Sequence, residues 1–332
     1  MRIIPHPRRP IRLGMLAAAL ALFAGTLQAE TRFTADSAIT FATVEQGRAV
    51  LAQTDAYVDR MGAFDRMLRL RSADAVSVQA YLDSLADNVR PWNAEERAHV
   101  GNAVRELSAR VQGLRLPLPE TVLLVKTTGD EEVGVAHTRG NAIVLPERAL
   151  QQSFRPLADL LAHELFHVMT RHDAQFRARA YAIVGFRVID EIALPESLAT
   201  RRFTNPDAPV DDVAVDVSVN GETRTVAPVM LSRKPVYDAA FGTELDDYWI
   251  MRLLVLEADP ESGALRPALT DGEPQLLRIR DVSGFYEQIG RNTWYVIHPE
   301  EIMADNFALM LFGGNIEHPE IPEALRELLA AP

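Results

Sequence analysis

Apolar positions recur at spacings of three and four through the first third of the chain. They do so in DAVSVQAYLDSLADNV, and more regularly in WNAEERAHVGNAVRELSARVQGL. In the second stretch Val100, Val104, Leu107 and Val111 line one face, and Asn93 with Glu96 offers a reciprocal cap at the start. Residues 35 to 115 are therefore expected to be mainly helical. The rhythm changes near residue 121. TVLLVK reads as a buried strand, TGDEE as a turn, and VGVAH and NAIVLP as short strands around TRG. A helix is expected from about Arg155 to Arg171, followed by a second over AQFRARAYAIVGF. From Asn205 the pattern alternates: VAVDVSV, an Asn220-Gly221 turn signal of type I′, then ETRTVAPVML, YWIMRLLVLEA and GALRPAL. The end returns to helices with HPEEIMADNFALMLFGG and IPEALRELLA. The expected class is α+β. A helical N-terminal region covers 30–117, and a small mixed sheet with its following helix covers 118–204. A β-rich insertion spans 205–280, and C-terminal helices span 281–332.

The first 29 residues are patterned differently. Arg2, Arg8, Arg9 and Arg12 precede the apolar run LGMLAAALALFAGTL, which is short for a bilayer span, and small Ala29 stands before Glu30. This reads as a signal peptide cleaved near Ala29, so the mature chain is expected to be periplasmic or secreted, with no stable membrane span. Without those four arginines the net charge moves from −12 to −16, 46 acidic residues against 30 basic. So acidic a surface argues against nucleic acid or an anionic membrane as partner. The chain has no cysteine, which excludes disulfides and thiolate-ligated metal; any metal site must be built from His, Asp and Glu.

Chemistry concentrates in DLLAHELFHVMTRHD, residues 159 to 173, which holds three of the eight histidines. His163 and His167 are four apart, so on a helix both rings face one side and can hold one ion. Glu164 lies one position round, within reach of a water beside that ion. This H-E-x-x-H spacing is that of a zinc site with a general base. The alternative is a plain helix with two hydrogen-bonded histidines. Burying two such rings and a carboxylate unpaired in so apolar a helix is costly, which favours metal.

A catalytic zinc takes a third protein ligand and keeps one position open. Asp173 is the nearer candidate, in H-E-x-x-H-x-x-T-x-x-D, but Thr170 stands where the metzincin arrangement needs a chain-reversing Gly. The farther candidate is the helix begun by Pro299 and ended by Gly313-Gly314, where Glu301 and Asp305 share a face. Glu191, Glu196 and Glu300 are further possibilities. HELFH with the later Glu301-Ile-Met-Ala-Asp305 resembles the gluzincin, thermolysin-like zinc metallopeptidases, and within them the toxin type related to anthrax lethal factor. The resemblance implies a zincin-like catalytic domain, with His163, His167 and Glu301 as ligands of Zn2+. It further implies Glu164 as general base, Asp305 as the carboxylate behind a ligand histidine, and Tyr295 or His298 as the group that steadies the oxyanion. His167 and Glu301 are 134 residues apart, longer than in thermolysin-like enzymes, which fits an insertion at 205–280.

The expected function is a zinc metallopeptidase acting on a peptide or protein substrate, held against a strand around residues 133–145 through main-chain hydrogen bonds. The rivals are a zinc-dependent hydrolase of a non-protein amide such as cell wall, and a non-catalytic binding protein of the same fold.

Overall fold

The computed structural model describes residues 31–242 and 245–330. The leader expected at 1–29 lies outside the described residues. Among the described residues no helix is long and apolar enough to cross a membrane.

The chain is α+β, with two principal sheets. The first has the order β1-β2-β3-β5-β4: β1 Thr31–Arg32, β2 Ala38–Phe41, β3 Thr121–Thr127, β4 His137–Arg139 and β5 Ala142–Pro146. β2, β3 and β5 run parallel, and β4 is an antiparallel edge strand. The period-2 pleat sends alternate side chains to opposite faces. Val122 and Leu124 of β3 with Ile143 and Leu145 of β5 enter the main core, while Val125, Ala142 and Val144 face a second cluster.

Five helices fill the long crossover from β2 to β3: α1 Val44–Leu51, α2 Ala56–Arg60, α3 Ala63–Arg69, α4 Val78–Asp87 and α5 Ala94–Arg110. The capping box read from Asn93 and Glu96 is present on α5. Leu51, Tyr81, Leu82 and Leu85, from α1 and α4, cover one face of the sheet. The other face receives Val100, Val104 and Leu107 of α5 and the apolar side of α7. The region expected to be helical thus also supplies β1 and β2 to the sheet.

The short α6 Glu147–Leu150 leads into α7 Phe154–His172 and α8 Ala174–Ile183. Then comes the second sheet, an antiparallel meander. Its strands are β6 Arg187–Val188, β7 Val213–Val219, β8 Glu222–Ser232, β9 Trp249–Ala258, β10 Leu265–Pro267 and β13 Leu276–Leu277. Two short helices, α9 Glu196–Ala199 and α10 Leu245–Tyr248, and the hairpin β11 Leu269–Thr270 with β12 Glu273–Pro274 interrupt it. Asn220 (φ 52°) and Gly221 (φ 85°) both take positive φ, as the I′ turn joining β7 to β8 requires. Val213, Val215 and Val217 of β7 face the main core, so this sheet closes over the helices that pack on the first. α11 Phe285–Ile289, α12 Pro299–Phe312 and α13 Glu320–Ala330 complete the chain. α12 is buried on nearly every side, packed against α7, α8 and α13.

One strand differs from the sequence reading. The turn expected at 128–132 continues through Gly134, and residues 133–136, expected to be strand, are not extended into the sheet, with Val133 at φ 54° and Gly134 at φ 79°. A β-branched residue rarely takes that conformation. Here Glu131 and Glu132 on the same turn are buried, and Glu132 accepts from the hydroxyls of Tyr57 and Tyr81, which pulls the chain inward.

Candidate metal centre

α7 is helical for the reasons its sequence shows. Leu157, Leu161, Leu165, Phe166 and Met169 are buried on its core side, and Arg171 and His172 sit in the last turn, where positive charge is favoured. His163 and His167 share a face, with ring centroids 4.7 Å apart. α12 arrives opposite them. His298 caps it, its Nδ1 accepting from Glu300 N at 3.1 Å; Pro299 opens the first turn, and Gly313 (φ 69°) ends it.

Across this helix pair, Glu301 Oε2 lies 3.1 Å from His163 Nε2 and 3.6 Å from His167 Nε2. Ligand atoms of these three residues all lie within 4.8 Å of one another. Each imidazole is held from behind by its own carboxylate. Asp305 Oδ1 accepts from His163 Nδ1 at 2.8 Å, and Glu300 Oε1 accepts from His167 Nδ1 at 2.8 Å. These bonds leave both Nε2 atoms turned toward Glu301, the nitrogens a metal would take by displacing their protons. The carboxylates are themselves fixed: Asp305 accepts from the Thr293 hydroxyl, and Glu300 from the hydroxyls of Thr170 and Tyr181. His167 Nε2 is fully buried and without a hydrogen-bond partner.

Carboxylates dominate the electrostatics of this cluster. Burial disfavours charge on His163, but the hydrogen bonds it donates to Asp305 and Glu301 outweigh it and hold the ring well above the ordinary histidine range. His167 is likewise carried up to about 9, burial being overcome by the charges of Asp207 and Glu301 and by the Glu300 bond. Glu301 is buried too, yet the two histidines bring it down to about 2. Glu164, 2% exposed, accepts from the Thr138 hydroxyl at 3.0 Å. Burial first, then the Asp207 charge, push its carboxyl up to about 7.

The structure brings together His163, Glu164, His167, Glu301 and Asp305, five of the residues singled out in the sequence. Tyr295 borders the same site: it is 41% exposed, and it lines a cavity with Asn205 and Asp207. Burial at its hydroxyl end and the carboxylates of Glu301, Asp207, Asp305 and Glu164 raise that hydroxyl well above the tyrosine range. His298 is a buried cap. Asp173 ends α7 and caps α8, accepting from Gln175 N and Phe176 N at 2.8 and 2.9 Å, so it does not turn toward the histidines. Glu191 pairs with Arg60 on the surface, and Glu196 opens the short α9. Glu300 faces the back of His167 rather than the cluster.

Residues with no sequence signal complete the surroundings. Asn205 Nδ2 donates to Glu301 Oε1 at 2.6 Å, and Asp207 groups with Glu164 and His167 within 4.8 Å. The substrate strand expected at 133–145 reduces to β4, whose Thr138 N and O are already bonded to Asp207 and Arg171.

Comparison of the chain with protein-family models, curated proteins and solved structures returns no match in any of the three.

Proposed function

We propose that the chain is a zinc metallopeptidase of the gluzincin type, with His163, His167 and Glu301 as the residues that hold the ion. The observation that carries this reading is the pairing across α7 and α12. Two imidazoles present Nε2 to one glutamate, and each has a separate carboxylate on Nδ1. The donor set, two nitrogens and a carboxylate oxygen, is that of catalytic zinc, and the buried unpartnered Nε2 of His167 fits a ligand role. The fold supports it as well. A helix carrying the histidines packs under a mixed sheet whose antiparallel edge strand, β4, lies beside the base, an arrangement of zincin kind.

Bound there, zinc supplies Lewis acidity toward a water and a substrate carbonyl. Glu164 takes the water's proton on its carboxylate and later returns it to the leaving amine; a carboxyl poised near neutrality suits both transfers. Thr138 holds the Glu164 carboxylate in place. Asp305 and Glu300 fix the two rings. Tyr295, protonated at neutral pH, stands at the rim as a hydrogen-bond donor toward negative charge developing on the substrate. The histidines and their carboxylates would serve a metal with or without catalysis; Glu164 distinguishes an enzyme from a scaffold.

The test is metal content and peptide hydrolysis measured together on the unaltered chain and on Glu164→Gln. One zinc per chain in both, with hydrolysis lost in the variant, is expected. An equally active variant refutes the base, and a folded chain that takes up no zinc removes the metal centre.

A further inference from the structure

Two cavities flank the metal centre, one of about 560 Å³ and one of about 340 Å³. Pro206 and Asp207 line both. The segment Asn205–Pro209 therefore stands between the two cavities.

This segment is anchored outside the site. Upstream, Thr204 N and Oγ1 donate to buried Asp65 at 3.1 and 2.7 Å, and Thr204 O accepts from buried Arg69 at 2.6 Å. Downstream, the carbonyls of Asp211 and Asp212 accept from Ile192 N and Ile189 N, each at 2.8 Å. Between these anchors, besides Arg202, which donates to Pro209 O at 2.5 Å, the polar contacts to the rest of the chain fall on the proposed catalytic residues and their neighbours. Asn205 holds Glu301, as described. Asp207 Oδ1 accepts from Thr138 N at 2.7 Å, and Arg171 bridges Thr138 O and Pro206 O at 2.5 and 2.6 Å. The Asp207 carboxylate reaches Glu164 and His167 but does not group with His163 and Glu301, so it covers the centre without completing it. The outward N–H and C=O of Thr138 are main-chain groups an extended ligand would use on an edge strand, and both are taken.

We propose that Asn205–Pro209 is an autoinhibitory strap, lying in the substrate's place, and that the site opens when this segment lifts between its two anchors. The proposal deepens the metallopeptidase reading and rests on it. Polar contacts hold the strap's middle, and none of its residues belongs to the hydrophobic core clusters, so its release exposes no core side chain. Its fixed ends return it to the same place.

Cobalt(II) loaded in place of zinc reports the state of the site by its visible absorption. The full chain, Asp207→Ala and Arg171→Met are each loaded and titrated with acetohydroxamate. A closed strap lowers apparent affinity by the fraction of molecules that are open, so both variants are expected to bind at least about tenfold more tightly than the unaltered chain. In the unaltered chain alone, saturating acetohydroxamate is expected to speed amide hydrogen exchange at Thr138, whose N–H the strap now holds. Equal hydroxamate affinity in all three cobalt-loaded proteins, or Thr138 exchange unmoved by saturating ligand, overturns the strap and leaves the metal centre standing. Failure of all three proteins to bind cobalt removes the metal centre, and the strap's role with it.

Discussion

Glu300 Oε1 accepts a 2.8 Å hydrogen bond from His167 Nδ1, on the ring edge opposite the one that Glu301 faces. Two consecutive residues of α12 thus address the two nitrogens of one imidazole. Glu300 is 1% exposed; burial alone would raise its pKa, but bonds from His167, Thr170 and Tyr181 keep it below the ordinary value and ionised. Glu300→Ala frees the ring and leaves the buried donors of His167 and Tyr181 without an acceptor, while the Thr170 hydroxyl keeps His167 O. Zinc affinity, measured by competition with a chelator, is expected to fall roughly 10–100-fold. Stability is expected to drop by about 3 kcal/mol. Unchanged zinc affinity would mean that Glu300 only supports the fold.

Two of the candidates for third ligand, Glu301 and Asp173, separate cleanly. Glu301→Ala removes the carboxylate facing both Nε2 atoms, and the dialysed protein is expected to hold no zinc. Asp173→Ala removes the cap of α8; zinc should stay, while stability falls by about 1 kcal/mol. The reverse pattern would return the third ligand to Asp173.

Thr138 contacts Glu164, the proposed base, rather than the residues proposed to hold the metal. Its hydroxyl donates to Glu164 Oε2 at 3.0 Å, a bond that favours the ionised carboxylate and opposes the effect of burial. Thr138→Val keeps the shape and loses the bond. Expected are unchanged zinc content, kcat lower by about tenfold, and an acidic limb of the pH–rate profile moved to higher pH, because the carboxylate has lost a stabilising donor. Thr138→Ser should restore all of it. A Val variant with the parental profile would sever Thr138 from the mechanism.

What could be read from the sequence was local. The face shared by His163 and His167 follows from four-residue spacing, as does the one shared by Glu301 and Asp305. Caps at Asn93 and the turn at Asn220-Gly221 depend on adjacent residues only, and they stand where their sequence places them. The rest depends on partners far along the chain. β2 is four residues long and is a strand because it pairs with β3, about eighty positions later. Whether Glu300 or Glu301 faces the open side of His167 is a rotation about the α12 axis, which packing against α7 decides. Asn205 meets Glu301 across 96 positions, and no spacing rule reaches that far. The turn at Val133 runs against local preference, because burial of Glu131 and Glu132 outweighs the extended tendency of the valines around it.

Asp211 makes a prediction away from the metal. It pairs with Arg202 at 2.8 Å, and its side chain is 16% exposed. Burial pushes its carboxyl up to about 6; Arg202 opposes this, and Glu191 and Asp212 add to it. In the unfolded chain an aspartate titrates near ~3.9. The folded state therefore binds this proton more tightly, and the stability it contributes is fully present below about pH 4 and lost as pH rises through about 6. Asp211→Asn carries no such proton, so relative to the parent it should gain up to about 3 kcal/mol between pH 4 and pH 7. Urea unfolding of both proteins at the two pH values measures the difference. A gap that stays constant, or one that closes as pH rises, would show that Arg202 compensates the buried charge in full.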